Sequence, residues 1–168
     1  MVGRYHELQG GDGTGLFGDS NTGSLLSNSL VSGQSNMVSG YNLLVTGNAN
    51  SVDGNSSLVV GQLNSTSSHA NGIVSGVNNF GVGFSFAFGN GLIACAAPGS
   101  PWQRPLVVIG QYNVAPQDEQ IFAIGNGYSS GEGQNVTITR ANAFEVYSNG
   151  QIKIPTVQGD ISMGEFAS

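Results

Sequence analysis

The sequence predicts an all-β fold, a parallel β-roll of stacked coils about 14 residues long, and three observations carry that prediction. First, between residues 27 and 61 a glycine falls at every seventh position: Gly33, Gly40, Gly47, Gly54 and Gly61. A valine stands two places before each: Val31, Val38, Val45, Val52 and Val59. A fixed short period means units that bury a face only against their neighbours. Second, the same stretch is unsuited to a coiled coil, the other architecture with a seven-residue period. Glycine costs about 1 kcal/mol per site in a helix, and the only charged side chain here is Asp53. Third, the recurring apolar residue is β-branched, which favours a strand. Each unit reads as a strand of about four residues closed by a turn just after the glycine. Two units make one flattened coil.

Alternation assigns the faces. Neighbouring side chains of a strand point to opposite sides. The valine is apolar in all five units, so Val31, Val38, Val45, Val52 and Val59 form the roll core. Their neighbours point outward. In the odd units these are Leu30/Ser32, Leu44/Thr46 and Leu58/Val60; in the even units, Met37/Ser39 and Ser51/Asp53. One outer wall thus carries a ladder of Leu30, Leu44 and Leu58, and the other is mostly polar. An apolar stripe at fixed spacing marks an interface, and closed symmetry is the usual way to bury one. The expectation is a parallel homo-oligomer with the odd wall on its axis.

The other segments follow in order. Residues 1–26 read as a Gly-rich entry segment. Residues 27–91 read as the roll, with a register break at 62–69 that resembles a protruding turn. Within 77–91 the Val/Ser units give way to Phe80, Phe84, Phe86 and Phe88. Those rings fill either a wider coil or the oligomer core, or they form an exposed binding platform. Residues 92–105, with three prolines and the only Trp, read as a loop. Residues 106–155 read as a separate C-terminal β block with a hairpin at Asn149-Gly150. A three-residue loop, Ser148-Asn149-Gly150, pairs Val146 with Ile152, Phe144 with Ile154 and Glu145 with Lys153. It keeps apolar residues on one face and places the Glu–Lys pair on the wet side. Residues 156–168 read as a frayed tail or connector.

The run NSLVSGQSNMVSGYNLLVTGNANSVDGNSSLVVG resembles the head repeats of YadA-like trimeric autotransporter adhesins, which also occur in phage and phage-like tail fibres. ANGIVSG (70–76) and LVVIG (106–110) repeat the pattern more weakly. The C-terminal block is similar to segments that follow such repeats in tail-fibre proteins. The resemblance implies a left-handed parallel β-roll packed as a homotrimer, at a virion tail fibre or an extracellular cell surface. It implies a structural or receptor-binding role, with a cell-surface glycan or protein as partner. A head fragment of a bacterial adhesin is the alternative, and a fibre-borne polysaccharide hydrolase a lesser one.

Composition narrows the classes. Charged residues are 8% of the chain, against roughly 25% in an average domain. The net charge is −6 with only four Lys and Arg, which argues against nucleic-acid binding. The start, MVGRYHELQGGDG, carries no apolar stretch of a signal peptide, and no apolar run approaches the length of a membrane helix. The lone Cys95 permits no intrachain disulfide. No cofactor or metal is expected. Gly13-Thr14-Gly15-Leu16-Phe17-Gly18 and Gly127-Tyr128-Ser129-Ser130-Gly131 match short catalytic or phosphate motifs, but neither has the strand-to-helix context those need. The acids are scattered, and no pair is set for glycoside cleavage, so an enzyme is not expected. For a glycan, which needs aromatic faces and converging polar groups, the candidates are Trp102, Tyr112, Tyr128 and His69. Trp102 equally suits a plug between roll and C-terminal block.

Overall fold

The computed structural model describes residues 1–95, 105–117, 119–132, 135–156 and 159–162. They form strands joined by tight corners. The first coil is β1 (Val2–Arg4) and β2 (Glu7–Gln9), the second β3 (Gly15–Asp19) and β4 (Thr22–Ser27). The third is β5 (Leu30–Gln34) and β6 (Met37–Tyr41), the fourth β7 (Leu44–Asn48) and β8 (Ser51–Asn55). Then follow β9 (Leu58–Gln62) and β10 (Ser65–Ala70), β11 (Ile73–Val77) and β12 (Phe80–Gly81), and β13 (Ser85–Asn90) and β14 (Ile93–Ala94). Odd strands stack in parallel as one sheet and even strands as the other, giving seven coils. This is the parallel β-solenoid that the seven-residue period predicts.

Two expected boundaries dissolve. The segment 1–26 is no entry segment, because β1 and β3 pair in parallel with the coils above them, Val2 with Phe17 and Gly15 with Leu30. Nor is 106–155 a separate block. Strands β15 (Leu106–Gln111) and β16 (Gln120–Asn126) continue the odd sheet in parallel, Phe86 against Val107 and Val107 against Phe122. An antiparallel end follows. A two-stranded arm, β17 (Tyr128–Ser130) with β18 (Thr137–Thr139), stands beside it, and β19 (Asn142–Tyr147) returns onto β16. Strands β20 (Ile152–Thr156) and β21 (Gly159–Ser162) complete a 12-stranded sheet, so part of the expected tail is a paired strand. The register break at 62–69 is also absorbed. It is a β-bulge inside β10, between Thr66 and Ala70, and not a protruding turn.

The interior explains why the coils stack. Val31, Val38, Val45, Val52 and Val59 are all buried, as the alternation predicts. The column of the odd sheet runs Leu16, Val31, Val45, Val59, Val74, Ala87, Val108, Ala123, every one buried. At one corner stands a second column of buried asparagines: Asn21, Asn36, Asn50, Asn64 and Asn79. Each side-chain oxygen accepts from the next coil; that of Asn36 takes the backbone N–H of Asn50 at 3.1 Å and its Nδ2 at 2.9 Å. The Asn50 Nδ2 also donates to the Gly61 carbonyl at 3.0 Å. A buried amide is costly unless its bonds are all made, and here each coil completes the one before. The residue ahead of each of these asparagines turns left-handed, at Ser20, Ser35, Ala49, Leu63 and Asn78. Gly47 fits because it stands at φ +125° and any Cβ there would collide with the Gly61 carbonyl.

The hairpin forms with the expected register. Glu145 pairs with Lys153 and Val146 with Ile152, and Gly150 sits at φ 87°. Its facing is reversed from the expectation. Glu145 lies opposite Ala123, on the side of the roll core, so the Glu–Lys face closes the end of the roll. There Glu145 accepts from Asn142 Nδ2 at 2.6 Å and from the Tyr147 hydroxyl at 2.7 Å. The Lys153 ammonium lies 4.8 Å from the centre of the Tyr147 ring.

Candidate interaction face

The odd sheet leaves a long outer face. The Leu30, Leu44 and Leu58 side chains point away from the core in register, with Leu30 41% and Leu44 42% exposed. The ladder does not stop at Leu58. It continues through Ile73, Phe86, Val107 and Phe122, and then through Val146 and Ile152 of the antiparallel end. A second row runs beside it: Phe17, Ser32, Thr46, Val60, Ser75, Phe88, Ile109, Ile124 and Phe144. The Phe122 and Phe144 rings meet edge to face on this side, 6.2 Å apart at 74°.

The aromatic segment lies on the outer face. It is not a widened coil, because Ala87 takes the core position and is buried, while Phe88 is 41% exposed and Phe86 half-buried outside. Phe84 and Phe80 are exposed as well. A shallow groove of about 510 Å³ follows the flank of the ladder, between Leu44, Leu58 and Ile73 and the corners at Asn42 and Ser56. The even sheet presents a different surface, with Thr22, Met37 and Ser51 in one row and Ser24, Ser39 and Asp53 in the other.

The glycan candidates are not gathered into one site. Trp102 lies outside the described residues. His69 belongs to β10, but its side chain lies outside what is described. Tyr112 is half-buried at a corner, at φ 42°, with its ring against Gly91. Its carbonyl accepts the Ala141 N–H at 3.0 Å, so packing and the backbone account for it. Tyr128 is 57% exposed at the base of the β17–β18 arm, whose Val136 and Ile138 flank are exposed too. Arg140 ties the arm's end to the roll by donating to the Gly91 and Asn113 carbonyls at 2.7 and 3.1 Å. Cys95 is half-buried, and burial pushes its thiol above the usual pKa. Among the described residues, no three His, Cys, Asp or Glu side chains are grouped to hold a metal ion.

A family model described as the grass antifreeze β-roll matches residues 1–87, more than half of the chain. This chain belongs to the grass antifreeze β-roll family. The matched span takes in the first six coils and part of the seventh, so the family membership and the stacked geometry agree on the β-roll. The matched family is not the YadA-like head suggested by the repeats. Comparison with curated proteins and with solved structures finds no match. The part of this β-roll that sequence reasoning missed is the extension of the ladder beyond Leu58. Its spacings depart from 14 residues, so a search at fixed period ends where the coils begin to vary.

Proposed function

We propose that this β-roll is a non-enzymatic structural and attachment module of a homotrimeric fibre, joined along the outer face of the odd sheet. The observation that carries it is the unbroken apolar row from Leu30 to Ile152 on a sheet whose own core is already filled. A row of partly exposed Leu, Ile, Val and Phe is unfavourable in water, at about 25 cal/mol per Å². Copies packed in parallel bury like against like at every level. Closed symmetry follows from the row itself; the threefold order follows from the resemblance to YadA-like heads. The attachment role rests on the same resemblance, to adhesin heads and to phage-type fibres, with a cell-surface glycan or protein as receptor.

Sedimentation velocity at micromolar concentration tests the assembly. A single species of three 17.2 kDa chains is expected, and a stable monomer rejects the reading. For attachment, a Trp102→Ala variant that keeps its assembly and melting temperature but loses cell or glycan binding supports recognition through that loop. A lower melting temperature with binding intact assigns the indole to packing.

The family's description favours a second reading, ice binding through the flat even sheet. Thr22, Ser24, Ser39, Ser51 and Ser65 supply short hydroxyls there, but Met37, Asp53 and Phe80 interrupt the array. Thermal hysteresis decides it: activity that falls on Ser51→Tyr supports ice binding, and no hysteresis supports the fibre.

A further inference from the structure

We infer that the C-terminal half of the odd sheet, from Phe86 to Ile154, is the zipper that holds the copies together and sets their register, while the N-terminal coils lie against one another weakly. The inference rests on the parallel assembly proposed above and assigns its binding energy within the face.

The two outer rows change character along the stack. In the N-terminal coils one row is apolar and the other hydroxylic at three levels, Leu30 beside Ser32, Leu44 beside Thr46 and Ile73 beside Ser75, while Phe17 and Val60 stand in the second row at the other two. From β13 onward both rows are apolar: Phe86 with Phe88, Val107 with Ile109, Phe122 with Ile124. The hairpin prolongs them with Val146 and Phe144, and Ile152 lies beside Val146. Its reversed facing now has a reason. Turning Glu145, Tyr147 and Lys153 to the core side closes the roll and leaves the apolar side of the hairpin on the common outer face.

The occupant that fits is a second and third copy of this chain in the same direction and register. Successive levels are about 4.8 Å apart, and a sheet with the same rise can match them row for row. A copy reversed or shifted along the axis sets Phe88 against Ser32 or Thr46. A copy in register sets aromatic against aromatic, where offset and edge contacts add to area burial. Phe88 is 41% exposed and its outer neighbours from Phe86 to Ile154 are partly buried, so the contact they offer rests on large apolar side chains in both rows.

Sedimentation equilibrium on full-length Ile109→Asp and Leu44→Asp variants tests this, with circular dichroism to confirm that each is folded. Ile109→Asp is expected to weaken assembly more than about 100-fold and Leu44→Asp by no more than about tenfold. Val107→Ser gives the same reading with a smaller change if Ile109→Asp does not fold. Equal weakening by the two positions, or greater weakening at Leu44, overturns the zipper and leaves the assembly standing. A monomeric unsubstituted chain removes both.

Discussion

The coils at residues 30–62 and the strands at 85–156 share one sheet, yet they place their bulk on opposite sides. In the early coils the mass is inside: Val31, Val45 and Val59 fill the core, the asparagine column threads one corner, and the outer rows set Leu30 beside Ser32 and Leu44 beside Thr46, with Val60 beside Leu58. In the later strands two of the three core positions are alanine, Ala87 and Ala123 on either side of Val108, and the outer rows rise to Phe, Val and Ile. The coil cross-section constrains the interior, because stacked backbones stand at one spacing and each level must fit the next. The outer face carries no such constraint, so its composition records what covers it. In the proposed assembly the early coils are held chiefly within one chain and the later strands against a neighbour.

Substitutions can break this contrast. The largest effect belongs to Gly47→Ala. A Cβ there meets the Gly61 carbonyl at a left-handed φ, and clash plus strain cost about 4 kcal/mol or more. Its urea midpoint should drop regardless of protein concentration, since the damage is internal. Asn50→Ala comes next. It strips partners from Asn36, Gly61 and Asn64 at once, at about 3 kcal/mol per chain. A change under about 1 kcal/mol in the same melt would show that the column is dispensable. Val45→Ala should cost about 1–3 kcal/mol, and Thr46→Ala no more than about 0.5; comparable losses would reverse the facing of the regular coils. Tyr147→Phe, which removes one hydroxyl bond to Glu145, should cost about 1 kcal/mol, less than the core and column changes. Amide exchange sharpens the contrast: protection of residues 106–111 and 120–126 should fall on dilution, while that of residues 44–48 should not.

Much of this architecture is legible in the residues. The inward valines follow from period two inside period seven. The hairpin register follows from requiring one apolar face, with Gly150 at the position that needs φ > 0. The asparagine column is less legible, because Asn beside a turn ordinarily reads as solvated. Only stacking at a fixed level lets each amide satisfy the next. The first coils are hidden because Gly23 takes the place of a core valine, and Leu8 and Leu26 fill the space it leaves. Phe86 and Phe88 do share one face, as alternation requires, but which face is decided by Ala87. Ala87 takes the core place between Val74 and Val108, and its neighbours Phe86 and Phe88 therefore lie outside. Trp102 and the His69 side chain lie outside the described residues, and Tyr112 and Tyr128 are not drawn into one concavity.

The central claim is that the outer face of the odd sheet is covered by parallel copies of the same chain. Spin labels test it most directly. In a Cys95→Ser background, Thr46→Cys on the odd sheet and Ser51→Cys on the even sheet each receive one nitroxide. The account predicts strong dipolar broadening from position 46, where three copies bring the labels together, and little from position 51 on the outside of the assembly. Broadening at 51 with none at 46, or narrow spectra at both, would contradict it.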